Sequence, residues 1–257
     1  MVDHFTCHRA FDDSVPNFQV LVAVFCVART LRLTRLDTIA TLKFTSMWSD
    51  DVTKLSLRLP FATETIILAR AQGLPIVLKR AFYELLRTEG FGQYHVVDQT
   101  RSHSILFPTE SMVAAVDDHS NTDLRGSDIV GKAKLPHADL VRLILTRERL
   151  QRVWAQLASS PPDAAMFPCP LARDPNDDVG QRCKAAQESS KIIWFDNVIT
   201  SGVYTSSIND PIGGLERLVG LKWDEAGYCE ACVSARQTHW LEKREEIWDA
   251  LGSWLGL

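Results

Sequence analysis

Four cysteines in the C-terminal part of the chain, Cys169, Cys183, Cys229 and Cys232, are the residues best placed to do chemistry. Cys229 and Cys232 form a C-x-x-C at the mouth of an expected helix, so both thiolates can face one way and reach a single tetrahedral ion. Cys169 and Cys183 are separated by thirteen residues, which is not a knuckle spacing. Each must arrive from its own element, Cys169 from a Pro-rich loop and Cys183 from a helix start. A structural zinc site built from the four would tie residues 165–185 onto the last helix, constraining the unfolded chain most where the closed loop is long. Two other readings stay open, namely reduced buried thiols without metal and a redox C-x-x-C. The redox reading is weak because no βαβ pattern precedes the motif. His239 is a rival ligand, but seven residues beyond Cys232 along one helix is about 10 Å, too far to share an ion held at the helix mouth. His4, Cys7 and His8 could chelate a surface metal, although a frayed terminus explains them better.

Catalytic patterns are absent. There is no G-x-S-x-G elbow, no G-x-G-x-x-G, no Walker loop and no H-E-x-x-H. His95 and His103 near Asp98 have no nucleophile beside them by any spacing rule and read as loop residues. Asp117 with Asp118, and Glu245 with Glu246, read as solvated carboxylates. Cys26 reads as a small buried hydrophobe. No case for an enzyme emerges.

The elements that must position the cysteines are mostly helical. Apolar residues Phe18, Leu21, Val22, Phe25, Leu31 and Leu33 predict a helix over 17–36, weakened by β-branched Val20, Val22, Val24 and Val27. Thr63 or Thr65 is expected to cap a short helix closed by Gly73. Pro75 then opens another helix running to about Arg87, with Ile76, Leu78, Phe82, Leu85 and Leu86 inward. Ile105–Phe107 and Val113–Val116 are candidate short strands. A helix over 136–157 has Leu140, Leu143, Ile144, Leu150, Val153, Trp154 and Leu157 at three- and four-residue spacing, and it stops at Ser159-Ser160-Pro161-Pro162. Helices follow at about 180–199 and 211–222. The last begins near Cys229 with Val233, Trp240, Leu241, Ile247, Trp248, Leu251, Trp254 and Leu255 as a stripe that packs the core or fills a partner's groove. The fold class is mainly α, an irregular helical bundle with a smaller C-terminal helical lobe.

Of 257 residues, 28 are basic and 32 acidic, a formal charge of −4, and 46% are apolar. This excludes a wholly disordered chain, a collagen or a disulfide-stapled miniature. It also argues against non-specific nucleic-acid binding, which needs clustered excess Lys and Arg. The apolar run Val20–Ala28 is about half a bilayer span and follows Asp12 and Asp13 instead of a basic leader. The expectation is an intracellular protein, cytoplasmic or nuclear, with reduced cysteines and no membrane contact.

The order of several segments resembles the region after the BTB/POZ domain in BTB-containing proteins of mushroom-forming fungi. Val24-Phe25-Cys26-Val27-Ala28-Arg29 through Ala40 and Leu42 is similar to the helical hairpin after the BTB fold. Ile67-Leu68-Ala69-Arg70, and Leu74-Pro75-Ile76-Val77-Leu78-Lys79-Arg80-Ala81-Phe82-Tyr83-Glu84-Leu85, resemble the next segment. Tyr228-Cys229-Glu230-Ala231-Cys232, Arg244-Glu245-Glu246-Ile247-Trp248-Asp249-Ala250-Leu251 and Leu255-Gly256-Leu257 are similar to the family's closing motif, and Cys169 and Cys183 also fit it. Departures are Thr34-Arg35 near the usual Lys-Tyr, Gly252 in place of Pro, and Trp254 in place of Phe. The likeness starts at about residue 18, and the expectation is a BTB domain missing or reduced to a remnant before Pro16.

The resemblance implies three parts. Residues 1–16 are a remnant or disordered N-terminus, 17–160 a helical post-BTB (BACK-like) region, and 161–257 a cysteine-containing helical lobe. It implies a non-enzymatic protein–protein interaction module, an adaptor or scaffold for protein partners, homo-oligomeric if a BTB domain accompanies it. The alternative is a zinc-dependent nucleic-acid-binding or transcription-related protein, disfavoured by the charge and by a basic face no richer than Arg142, Arg149 and Arg152.

Overall fold

The computed structural model of the chain describes residues 18–88, 135–162, 164–172 and 176–257. The candidate strands, His4, Cys7, His8, His95, Asp98, His103, Asp117 and Asp118 lie outside them. Among the described residues there are ten α-helices and no strand. They are α1 (Phe18–Thr30), α2 (Thr34–Met47), α3 (Ala62–Gln72), α4 (Pro75–Leu86), α5 (His137–Ser159), α6 (Asp178–Glu188), α7 (Ser190–Trp194), α8 (Val203–Ser206), α9 (Pro211–Val219) and α10 (Glu230–Leu255). Single 3-10 turns occupy Val52–Lys54 and Ala164–Met166, and α7 runs on into a π-helical turn, Phe195–Thr200.

The helix expected over 17–36 is two helices. Arg32 takes a left-handed backbone (φ 53°), and Leu33 N–H reaches back to Ala28 O at 2.7 Å while Arg32 N–H bonds Arg29 O at 3.0 Å. This pair of bonds is the Schellman closure, which satisfies the last carbonyls and reverses the chain. Phe18, Leu21, Val22 and Phe25 do face inward, and Phe25 meets Phe44 of α2 edge-on at 5.4 Å. Leu31 and Leu33, expected inside, are exposed because they form the turn.

Neither Thr63 nor Thr65 caps α3. The helix starts earlier, after Phe61 in a left-handed conformation without a side-chain cap. Phe61 stacks on Phe18 at 4.9 Å, so ring packing outweighs capping preference there. Gly73 and Pro75 close and reopen the chain as expected. Of the α4 residues expected inward, Leu78, Phe82 and Leu86 are buried but Ile76 is half exposed. Its place inside is taken by polar groups: Arg80 and Arg87 both bind Glu84, and their guanidiniums reach the carbonyls of Leu57 and, from Arg87, Leu55. Tyr83 bonds Asp210, which in turn caps α9 through Gly213 N–H at 3.0 Å. Glu84 and Arg87 are well partnered, as buried charges require, while Arg80 bonds through Nη2 and its Nε and Nη1 have no hydrogen-bond partner among the described residues.

The α5 helix buries Leu143, Thr146, Leu150, Trp154 and Ala158 as one stripe, while Leu140 and Ile144 face out. Asp139, buried, takes Arg70 Nε at 2.9 Å and so ties α5 to α3. The helix expected over 180–199 breaks at Ser189 and widens into the π turn, yet Trp194 and Val198 remain buried. On α10, Trp240, Ile247, Trp248, Leu251 and Leu255 are buried and Leu241 is exposed. Trp248 donates to Asp50 O at 2.9 Å and stands edge-on to Tyr83, anchoring α10 to the N-terminal helices. One continuous core therefore crosses residue 160, with Leu143, Leu150 and Trp154 in the same cluster as Ile212, Leu215 and Leu251.

Candidate metal centre

Cys169, Cys183, Cys229 and Cys232 are all buried, and their sulfurs lie within 4.8 Å of one another. Three separate elements deliver them. Cys169 opens a tight turn, Ala172 N–H to Cys169 O at 3.4 Å, with Pro170 setting the second position. Cys183 projects from α6, whose first turn is capped by Asp177 accepting from Val179 N–H at 3.0 Å. Cys229 is the N-cap of α10 and Cys232 lies three residues on, so the pair shares one face.

Two glycines make the approach possible. A Cβ on Gly180 would fall 2.8 Å from the Leu171 carbonyl carbon and closer still to its oxygen, so α6 lies directly on the Cys169 turn only because residue 180 has no side chain. Gly227, at φ 96°, turns the chain into Tyr228, whose hydroxyl donates to Ala186 O of α6 at 3.2 Å. The start of α10 is thereby held against α6.

Cys169 Sγ and Cys229 Sγ are 3.6 Å apart. That is far beyond a disulfide bond of about 2.05 Å. It matches the edge of a tetrahedron with sulfurs at about 2.3 Å from a central zinc, roughly 3.8 Å. The spacing suits one ion with a closed four-thiolate shell, leaving no coordination position for substrate or water.

The surrounding donors favour thiolate. Gln187, one turn after Cys183, directs its amide at Cys232 Sγ (3.7 Å) and also donates to Phe167 O at 2.7 Å. Burial pushes the Cys183 thiol up to about 11, with the Cys229 backbone N–H pulling the other way. Burial also raises Cys232, helped by the neighbouring sulfurs. At Cys229 burial is outweighed by the Cys232 backbone N–H and by the other three sulfurs, so its thiol sits below the usual range. The positive end of α10 acts in the same direction. A metal ion would have to displace the protons that burial favours on Cys183 and Cys232.

Arg236, one turn beyond Cys232, was not legible as part of the site. It is 1% exposed. Its guanidinium lies 4.0 Å from the Tyr228 ring centre, 4.8 Å from Phe167 and 5.6 Å from Trp223. Its Nε and Nη2 have no hydrogen-bond partner among the described residues. Burial lowers its pKa, opposed by Tyr228, Cys232 and Cys183. The signal available in sequence was the i+4 spacing of Gln187 after Cys183 and of Arg236 after Cys232.

His239 turns its ring to Phe167 (5.4 Å) and Trp240 (4.7 Å) and is not in the sulfur group. Cys26 is partly buried and packs on the core, where burial raises its thiol. Glu245 and Glu246 are exposed, and Glu246 pairs with Lys243. No helix among the described residues is long and apolar enough to cross a membrane.

No family model, curated protein or solved structure matches the chain.

Proposed function

We propose that the chain is a non-enzymatic protein-interaction module, an adaptor or scaffold related to BTB proteins, whose C-terminal lobe is locked by one structural zinc ion. The observation that carries the metal reading is the meeting of four buried thiols from three elements within 4.8 Å. A zinc ion there would supply a closed tetrahedral cross-link and no Lewis-acid chemistry, because four protein ligands complete its shell. Cys169 would hold its turn, Cys183 would hold α6, and Cys229 and Cys232 would hold the start of α10. The five described cysteines are all unbridged, which suits a reducing compartment.

Support for docking comes from the outer face of α5. Leu140, Val141, Ile144 and Leu145 are 38–56% exposed and adjacent on one helix. Contiguous apolar exposure of this kind marks interaction surfaces more often than scattered single residues do. The first test is metal content by plasma mass spectrometry of chain purified under reducing conditions without chelator. About one zinc per chain is expected, bound more weakly when any one of the four cysteines is changed to Ser. Zinc-free folded protein sinks the metal reading. The interaction reading is tested by pull-down with wild type and an Ile144→Glu/Leu145→Glu double variant of unchanged thermal stability. Specific capture abolished by the double variant supports it; capture of nothing specific by wild type counts against it.

A further inference from the structure

We infer that Arg236 is the counter-cation of the metal–thiolate centre, a conclusion that rests on the metal reading above. A divalent ion with four thiolates carries a net charge of −2, and burying such a charge demands compensation from inside the protein. The four sulfurs are buried, and Arg236, buried one helical turn beyond Cys232, lays its guanidinium 4.0 Å from the ring centre of Tyr228, the residue before Cys229. Arg236 makes no ion pair with a carboxylate among the described residues, and Nε and Nη2 have no partner. Opposite charge would come to it from Cys232 and Cys183 once those thiols are ionised.

With all four thiols protonated, this guanidinium is a buried charge propped by the faces of Tyr228, Phe167 and Trp223 and by nothing of opposite sign among the described residues. With the thiols ionised around a metal, the same residue becomes half of a charge balance. The aromatic faces hold the guanidinium plane in place, and Gln187 with the backbone N–H groups of Cys229 and Cys232 supplies the remaining dipoles. Arg236 is a positioning residue: it touches the ligands' field, not the ion. It ties the lobe's fold to a loaded centre, because the cost of burying it is recovered only when the sulfurs are charged.

The test uses the full chain in four forms, wild type, R236K, R236M and R236Q. Each is titrated with zinc against a chromophoric chelator, and each is melted with zinc and after chelation. Loss of the charge in R236M and R236Q is expected to weaken zinc binding about 10- to 100-fold, with R236K keeping most of the affinity. The neutral variants are also expected to melt lower than wild type when loaded, but equal to or higher than wild type when metal-free, since an uncompensated buried charge has been removed. A residue that merely fills space would lower both melting points together. If R236M does not fold, R236Q against R236K makes the same comparison of charge. Equal zinc affinity in wild type and the neutral variants, or equal loss of stability with and without zinc, overturns the assignment while leaving the metal site standing. A wild type that binds no zinc overturns both.

Discussion

Cys169 is the ligand whose removal separates a metal clip from a core thiol. It belongs to a turn outside the long helices, and Cys183, Cys229 and Cys232 would still hold an ion without it. Changing Cys169 to Ser therefore releases one closed segment of the chain, the stretch to Cys183. For a loop of about 15 residues the closure entropy returned to the unfolded chain corresponds to about 3 kcal/mol at 25 °C. In a protein of this size each kcal/mol moves the midpoint by about 2–4 °C, so the zinc-loaded variant should melt about 6–12 °C below zinc-loaded wild type. After chelation the loop is open in both proteins. What remains is replacement of a buried thiol by a hydroxyl, about 1 kcal/mol. The assay is thermal unfolding by circular dichroism of both proteins, loaded and chelated, under reducing conditions. A drop of the same size in the loaded and the chelated pair would refute the reasoning, since Cys169 would then act through packing alone.

Gly180→Ala should destabilise the lobe by about 1–3 kcal/mol in urea unfolding, because the new methyl group meets the Leu171 carbonyl and pushes α6 off the Cys169 turn; an unchanged midpoint would mean that the turn yields freely. Gly214→Ala should cost about the same. Its Cβ would lie 2.7 Å from Trp154 Cη2 and from Ser207 Cβ, and a neutral result would contradict the close packing of α9 on α5. His239 is held below its ordinary pKa by burial and then by Lys243. Its neutral form is favoured in the folded state, so its contribution to stability is present above about pH 6.5 and fades as pH falls through the lower folded value. An NMR titration should place its midpoint below that of an unfolded-chain histidine, and a midpoint above it would reverse the sign.

Much of the secondary structure was legible because it depends on neighbours in sequence. Gly73 and Pro75 punctuate the α3–α4 hairpin through backbone preferences that need no partner. The stripe Leu143, Leu150, Trp154 announces α5 by its period alone. Failures fall where a distant residue overrides a local preference. Phe61 starts α3 because Phe18 is there to stack on, and the helix over 17–36 breaks at Arg32, a residue with no strong signal for a left-handed turn. Ile76 was expected inside, but the inner face of α4 belongs to Arg80, Tyr83 and Glu84, whose partners come from residues 55–57 and from Asp210.

The candidate centre divides in the same way. That Cys229 and Cys232 share a face follows from helical geometry, so sequence alone determined half of the ligand set and the chemistry those thiols can do. Sequence likewise determined the predominance of helix and the apolar stripe of α10. Only the tertiary structure decided that Cys169 and Cys183 arrive at the same point, since their separation in sequence does not constrain two elements joined by an irregular loop. That meeting depends on Gly180 admitting the Leu171 carbonyl and on Gly227 turning Tyr228 onto Ala186. It also decided that Arg236 lies inside. A single charged residue on a helix reads as solvent-facing until three aromatic rings from two different segments are seen to close over it. Contacts along the chain can be read in order; contacts across it exist only once the chain has folded.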